Sequence, residues 1–303
     1  MQWPSSPPIR IAVLLVAGCA VLAAGSKALA REPTVSAATN LRIAFASNRN
    51  GDSEIYTMKP DGTAVTRLTR SPKIDLPCQW SRDGSHLLFY SQRSPGGDVW
   101  VMASDGSGQR NLTRSPAHDS CGTSSPDGTQ IVFDSTRKGA GGIYVMNADG
   151  SGVRMLTDGS ANDHGPAWSP DGNTIAFVSD RDGGRSKIFV MAANGSDQRS
   201  LTQGPNDATP EWSPDGTRIA YIGGTHRAPA IEVMTADGSS LRTVVRDTTY
   251  IGGLSWSPDG HRLLFSSGRD QRAGELYAVN ADGSGLKRLT RNRFGDSAPV
   301  WSR

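Results

Sequence analysis

The sequence contains only three cysteines, one long apolar run and almost no excess of either charge. Its 32 basic and 29 acidic residues leave a formal net charge of +3, which gives no electrostatic reason to expect nucleic acid or an anionic membrane as a partner. With 36% hydrophobic and 20% charged residues in 303, the composition excludes collagen, coiled coil and low-complexity disorder. A single apolar run excludes a polytopic membrane protein.

The apolar run lies near the N-terminus and indicates an export signal. It covers residues 11–24, follows Arg10, and precedes the small residues of Ala28-Leu29-Ala30. A basic start, an apolar middle and a small-residue cleavage site are typical of a secretory signal peptide. We therefore expect a signal peptide over residues 1–30 and a polar linker over residues 31–40.

A lipoprotein signal is the alternative interpretation of the same segment. Val16-Ala17-Gly18-Cys19 resembles a bacterial lipobox, in which Cys19 becomes the lipidated first residue. The apolar run continues past Cys19 to Ala24, which favours a periplasmic or secreted soluble form. A membrane attachment is expected only if Cys19 is lipidated.

The remainder of the chain is one repeat. Trp168, Trp212 and Trp256 each begin the motif Trp-Ser-Pro-Asp-Gly and are 44 residues apart. Altered forms of the motif begin at Trp80 and Ser124 with the same spacing. Each motif is followed by three short apolar runs, and turn residues separate them. A unit therefore has four short strands, A to D, and Ser-Pro-Asp-Gly forms the A–B turn.

Strands B and C are continuous apolar runs, as expected for strands that are covered on both faces. Four-stranded units of about 40–45 residues predict an all-β propeller. The first B-type run, Ile43-Ala44-Phe45, has no A strand before it, and the chain ends with an A-type run, Ala298-Pro299-Val300-Trp301. We expect this last strand to complete the first blade, which gives six blades over residues 41–303 and closes the ring.

The repeat resembles that of TolB-type propellers. The shared elements are Pro-x-Trp-Ser-Pro-Asp-Gly, Ile-Ala-Phe, Ser-x-Arg, Ile-Tyr-Val-Met, Asp-Gly and Leu-Thr, and they extend over essentially the whole of residues 41–303. In TolB itself the propeller binds a peptidoglycan-associated lipoprotein in the periplasm, so the resemblance implies an extracytoplasmic role in protein binding. TolB also carries an α/β domain before its propeller. Only residues 31–40 stand in that place here, so contacts made by that domain are not expected.

Charged residues recur in the connections that a propeller places around one mouth of its channel. Arginine recurs in the B–C loops at Arg49, Arg93, Arg137, Arg181 and Arg269. Aspartate recurs in the D–A loops at Asp75, Asp119, Asp163, Asp207 and Asp296. The aspartate follows the arginine by 26 residues in four units and 27 in the sixth, and in the fifth unit Thr225 and Ile251 replace both. This joint loss favours structural ion pairs within the loops over a charged collar that binds a ligand.

The fifth unit offers the best candidates for partner binding. His226 and Arg227 lie in its B–C loop, and Tyr250 and Ile251 replace charge in the following connection. Aromatic and aliphatic side chains beside polar loops are plausible anchors for a protein partner. The alternative is that Tyr250 and Ile251 pack beneath the loop.

The two cysteines of the propeller lie at the beginning of neighbouring A strands. Cys78 and Cys121 are therefore candidates for a disulfide in an oxidising compartment. No residue that would activate a catalytic cysteine is evident.

These observations favour a non-enzymatic extracytoplasmic binding protein, acting as a monomer on a protein or cell-envelope component, with no cofactor and no metal. The sequence contains no Gly-x-Ser-x-Gly motif and no nucleotide-binding loop. The alternative is a propeller enzyme, of lactonase or polysaccharide lyase type, with a metal in the central channel. Its ligands would come from His118-Asp119 and Asp163-His164.

Overall fold

The computed structural model describes residues 41–225, 227–271 and 273–302, except for the side chain of Cys121. The expected signal peptide, the linker and Cys19 lie outside the described residues. The described part of the chain forms strands and turns without a helix, so it holds no candidate for a membrane-spanning helix.

In the residues that the structure describes, twenty-four strands form the blades of a propeller. Blade 1 consists of β1 (Ile43–Ser47), β2 (Glu54–Met58), β3 (Thr66–Arg67) and the last strand of the chain, β24 (Asp296–Trp301). Blade 2 consists of β4 (Asp75–Trp80), β5 (His86–Ser91), β6 (Asp98–Ala103) and β7 (Arg110–Asn111). Blade 3 consists of β8 (Asp119–Ser124), β9 (Gln130–Ser135), β10 (Gly142–Asn147) and β11 (Arg154–Met155).

The second half of the ring has the same plan, with longer strands in blade 5. Blade 4 consists of β12 (Asp163–Trp168), β13 (Thr174–Ser179), β14 (Lys187–Ala192) and β15 (Arg199–Ser200). Blade 5 consists of β16 (Ala208–Trp212), β17 (Arg218–Thr225), β18 (Ala228–Thr235) and β19 (Arg242–Arg246). Blade 6 consists of β20 (Ile251–Trp256), β21 (Arg262–Ser267), β22 (Glu275–Asn280) and β23 (Lys287–Arg288).

Each blade is a four-stranded antiparallel sheet with its strands in the order A, B, C, D. The A–B turns explain the Ser-Pro-Asp-Gly motif. In blade 4 the Ser169 hydroxyl donates a hydrogen bond to Asp171, and the Gly172 amide donates to the Ser169 carbonyl at 3.0 Å. Gly172 has a φ of 76°, a left-handed conformation that glycine adopts without steric cost.

The core is divided among the contacts between neighbouring blades. Side chains of strand B alternate between the two faces of the sheet: Ile43 packs against Leu264 of blade 6, and Ala44 packs against Leu87 of blade 2. Six such clusters follow one another around the ring. Both faces of each sheet are therefore buried, which explains why strands B and C read as continuous apolar runs.

The two ends of the propeller close the ring. Strand β24 pairs with β1 in antiparallel register, with Ile43 opposite Trp301 and Ala44 opposite Val300. Beyond the strand, Arg42 and Ser302 exchange two hydrogen bonds of 2.8 Å. The six blades and their closure by the terminal strands confirm the fold that the repeats predict.

Five of the six blades bind an arginine at the end where strand B finishes. Its guanidinium carbon lies 4.7–5.7 Å from the centres of two aromatic rings, one on strand B and one on strand C. The guanidinium also forms an ion pair of 2.5–3.1 Å with an aspartate that is 0–3% exposed, whereas the arginines are 19–26% exposed. We call this arrangement the arginine site of a blade. The pairs are Arg49–Asp296, Arg93–Asp75, Arg137–Asp119, Arg181–Asp163 and Arg269–Asp247.

The pairing differs from the one expected from the sequence. The 26-residue spacing pairs Arg93 with Asp119 in the next blade, but the structure pairs it with Asp75, which lies 18 residues earlier in the same blade. The cause is the antiparallel pairing of strands A and B. Asp75 lies opposite Ser91, two residues before Arg93, so the beginning of strand A meets the end of strand B.

The sequence analysis assigned no ion pair to the fifth unit, because Thr225 and Ile251 replace the arginine and the aspartate. The structure places these two replacements in different blades, Thr225 in blade 5 and Ile251 in blade 6. In blade 6, Ile251 occupies the usual aspartate position, and Asp247 binds Arg269 instead. Desolvation raises the pKa of Asp247, but hydrogen bonds from Ser267, Thr249 and Arg269 outweigh it and lower the pKa to about 2. In blade 5, Asp207 is present and the arginine is not.

Ring closure can be tested by truncation. A chain that ends at Gly295 lacks β24, which leaves one edge of β1 unpaired and exposes the apolar faces of blades 1 and 6. We expect a lower melting temperature by circular dichroism and self-association by size-exclusion chromatography. A truncated chain that melts like the full chain and elutes as a monomer would contradict the closure.

The ion pairing can be tested by double-mutant cycles in urea unfolding. Asp119→Asn combined with Arg137→Met should give a coupling free energy of about 0.5–3 kcal/mol, since these side chains are in contact. Asp119→Asn combined with Arg93→Met serves as the control and should be additive. Coupling between Asp119 and Arg93, with none between Asp119 and Arg137, would contradict the pairing in the structure and support the one expected from the sequence.

Candidate functional site

The central channel has a different chemical character at its two ends. One end holds a cavity of about 320 Å³ that is lined by residues of the A–B turns, including Pro126, Pro170, Pro214 and Pro258. These prolines belong to the repeated Ser-Pro-Asp-Gly motif and are the same in four blades. Trp212, Trp256 and Trp301 of the same motif also line it, and Gln79 and Arg82 of blade 2 are among its other residues. This end is therefore formed mainly by residues of the repeated motif.

The other end, which we call the channel mouth, follows the repeat only in part. It holds a cavity of about 540 Å³ lined by A-strand residues of all six blades. Its polar side chains differ from blade to blade and include Gln92, His118, His164 and Glu211. A concave surface with varied polar groups is the usual form of a recognition site.

Irregularities in strand A determine which residues line the channel mouth. Each of the six A strands shifts register against its B strand near its middle. Four residues at these shifts have φ values of 47–59°, namely Gly165, Thr209, Gly253 and Ala298. For a residue with a Cβ this conformation costs about 1–2 kcal/mol, so the rest of the sheet must enforce it. Bulges of this kind re-aim side chains, here toward the channel.

Three ionisable side chains, Tyr90, His118 and His164, line the mouth in blades 2 to 4, and Asp134 lies near both histidines. Tyr90 and His118 are in contact, with 3.4 Å between the hydroxyl and Nε2 and 5.5 Å between ring centres. Asp134 accepts a hydrogen bond of 3.0 Å from the Gly165 amide, and desolvation raises the pKa of its carboxyl. Nδ1 of His164 is buried without a hydrogen-bond partner in the described structure. This wall therefore offers both donors and acceptors to a ligand.

The histidines and aspartates of the expected metal site are separated. Asp119 and Asp163 are fully buried within their blades and bind Arg137 and Arg181, while His118 and His164 line the cavity. Among residues 41–302, as far as the structure describes them, no three His, Cys, Asp or Glu side chains are grouped to hold a metal ion.

The residues expected to bind a partner differ in exposure. Tyr250 is 42% exposed, and its ring covers the backbone of Gly268 and Gly274. Arg227 is exposed in the turn that joins β17 to β18, the longest hairpin of the propeller. Ile251 is only 9% exposed and belongs to the cluster between blades 5 and 6, so its expected role as an anchor is corrected to packing. His226 lies outside the described residues.

The expected disulfide is described on one side only. Cys78 is disulfide-bonded. The side chain of Cys121 is outside the described part of the chain, so the Cys78–Cys121 pairing stays a prediction.

Two carboxylates of blade 5 form a site that the sequence analysis missed. Asp207, which was expected to pair with Arg181, is 2% exposed and its Oδ2 has no hydrogen-bond partner in the described structure. Glu232 occupies the strand C position of the aromatic ring in the other blades, and its Oε2 is also buried without a partner. Desolvation raises the pKa of both carboxyls, and each carries a hydrogen bond on its other side, from Thr202 or Thr243.

The chain is similar in structure to TolB proteins of low sequence identity. TolB from Acinetobacter baumannii has a TM-score of 0.75 and 20% identity over 86% of this chain and 66% of that one. A putative TolB from Agrobacterium tumefaciens has a TM-score of 0.67 and 21% identity over 86% of this chain and 92% of that one. This chain therefore spans about two thirds of the Acinetobacter protein.

The same fold also occurs in an enzyme. An oligogalacturonate lyase in complex with manganese has a TM-score of 0.57 and 14% identity over 83% of this chain and 74% of that one. At such identities these likenesses show the fold alone.

The sequence itself identifies the family. No curated protein matches the chain. The family model described as the TolB beta propeller domain matches residues 21–124 and 110–303, which together cover nearly all of it. This match confirms the resemblance in the repeats, and the chain belongs to the TolB beta propeller family.

Proposed function

We propose that this protein is a non-enzymatic, extracytoplasmic binding protein that contacts a protein or cell-envelope component through its channel mouth. The observation that carries the proposal is the contrast between the two ends of the channel. One end is lined mainly by the prolines and tryptophans of the repeated motif, whereas the mouth carries more polar side chains that differ between blades, such as Gln92, His118 and His164. Positions at which the residue differs between repeats are positions that the fold does not determine. When such residues lie on loops of a rigid scaffold, they are suited to recognition of a partner.

Exposed residues on the loops around the mouth supply anchors for a macromolecular partner. Tyr250 offers a half-exposed aromatic ring, and Arg227 lies at the tip of the long hairpin of blade 5. Aromatic residues and arginine are the residue types that contribute most at protein interfaces. The basic and apolar N-terminal segment, residues 1–30, supports export from the cytoplasm. Closure of the ring supports a monomer, because it leaves no apolar sheet face uncovered between blades.

Photo-crosslinking in the native host tests the binding face. A photo-reactive amino acid replaces either Gln92, which lines the mouth, or Asn173, which is exposed beside an A–B turn at the opposite end. We expect one discrete crosslinked product from position 92 and none from position 173, with the partner identified by mass spectrometry. Crosslinking from position 173 alone would contradict the proposal. So would stoichiometric bound metal together with turnover of a lactone or polysaccharide.

The contribution of Tyr250 can be measured with the crosslinked partner. Tyr250→Ala should weaken binding by about tenfold or more, since an aromatic anchor contributes about 2 kcal/mol or more. Leu286→Ala is the matched control, because Leu286 is 46% exposed but follows a C–D turn at the opposite face. Equal affinities of the two variants, measured by isothermal titration calorimetry, would remove Tyr250 from the interface.

A further inference from the structure

Blade 5 keeps half of an arginine site and replaces the other half. It retains the buried aspartate at the beginning of strand A, Asp207, and the ring on strand B, Tyr221. Thr225 replaces the arginine, and Glu232 replaces the ring on strand C. The substitution removes one positive charge and adds one negative charge at a position where five blades balance a buried aspartate with a guanidinium.

The two carboxylates and the Tyr221 ring lie close together around the backbone of Gly223. A Cβ built on Gly223 would lie 3.0 Å from the Tyr221 ring, 3.1 Å from Asp207 Oδ1 and 3.3 Å from Glu232 Cγ. Tyr221 is 4% exposed and Asp207 is 2% exposed. A buried carboxylate oxygen without a hydrogen bond is costly, and Asp207 Oδ2 and Glu232 Oε2 both lack one. Asp75 and Asp119 also have one such oxygen, but each binds an arginine through the other oxygen, which Asp207 does not in the described structure.

The cationic side chains around the two carboxylates act on them through their charge but form no ion pair with them in the described structure. Lys187 forms its ion pair with Asp182 at 3.4 Å, and its charge reaches Asp207 only at a distance. Arg246 donates to the Thr243 hydroxyl, which in turn donates to Glu232 Oε1. Thr202 and the Gly204 amide hydrogen-bond to the Asp207 carboxylate but leave Oδ2 without a partner.

The same position opens to solvent in the other blades. Their arginines reach the buried aspartate from the B–C loop and are 19–26% exposed, so the entrance lies at the surface. In blade 5 the corresponding residue, Thr225, is exposed and its side chain is short. A planar cation that enters by this route meets a carboxylate, a second carboxylate and an aromatic ring.

We propose that blade 5 binds a guanidinium group supplied from outside the chain, with Asp207 and Glu232 as its carboxylate partners and Tyr221 as its aromatic wall. Guanidinium is the cation that the five equivalent sites bind, and its planar fork matches a carboxylate in a bidentate manner. The guanidinium belongs either to a small molecule or to an arginine side chain of another protein. This site is distinct from the channel mouth and does not require the mouth to bind a partner.

The test is isothermal titration calorimetry of the full protein with L-arginine amide. Citrulline amide, which has nearly the same shape without the charge, is the control ligand. We expect saturable binding of arginine amide and none of citrulline amide. Asp207→Asn should weaken binding by about tenfold or more, the usual loss when a charge-assisted hydrogen bond is removed. Asp237→Asn, at an exposed carboxylate in the C–D turn of the same blade, should leave binding unchanged.

A second variant keeps the test decisive if Asp207→Asn fails to fold. Thr225→Arg places an arginine of the chain itself where the other blades have one. We expect this variant to lose binding of arginine amide and to melt at a higher temperature than the unmodified protein. Binding that persists in Thr225→Arg, equal binding of citrulline amide, or binding of manganese in place of arginine amide would overturn the proposal.

A peptide with one internal arginine distinguishes the two sources of the guanidinium. Affinity at least about tenfold above that of arginine amide would assign the site to a protein side chain, because neighbouring residues then contribute to binding. Equal affinity would assign it to a small guanidinium compound. The same peptide with citrulline in place of arginine should not bind.

Discussion

The structure depends on burial of both faces of every sheet. A blade on its own would expose two apolar faces, and only a ring in which each blade lies between two neighbours removes all of them from water. The pairing of β24 with β1 makes that ring continuous, since it joins the two ends of the propeller within one sheet. The regular strands B and C, the repeated turns and the position of the inner A strands all follow from this constraint.

Within the ring, the arginine sites link each loop to its own blade. A guanidinium between two rings satisfies a buried aspartate at the beginning of strand A and holds the end of strand B beside it. Blade 6 preserves this arrangement with an aspartate from a neighbouring position, Asp247. Blade 5 does not, and it leaves Glu232 on the long β17–β18 hairpin and Asp207 directly before β16. Among the arginine sites, the departures from the repeat therefore fall in blades 5 and 6.

Much of the fold could be predicted because the repeats within the chain can be compared with one another. Six units in one chain reveal which residues the structure repeats, and the incomplete units at Ile43 and Trp301 reveal how the ring closes. The ion pairs could not be assigned in this way. In a repeat of 44 residues, a partner 26 residues ahead and a partner 18 residues behind occupy the same repeat position, so the spacing fits both. Only the antiparallel pairing of strands A and B decides between them.

Features of the candidate sites that follow from the repeat could be predicted from the sequence, and features that depend on packing between blades could not. The mouth loops could be placed on one face, but burial of Ile251 and exposure of Tyr250 depend on packing between blades 5 and 6. Glu232 was visible in the sequence as the one C-strand residue that replaces an aromatic ring. The role proposed for Glu232 depends on Asp207 lying beside it in the folded structure, which the sequence does not show.

Hydrogen–deuterium exchange with the crosslinking partner present tests most directly whether the mouth is the binding end. The account predicts slower exchange in the D–A and B–C connections, such as residues 92–97 and 247–253. It predicts no change in the Ser-Pro-Asp-Gly turns at residues 125–128 and 169–172. Slower exchange in those turns, with the mouth connections unchanged, would contradict the account.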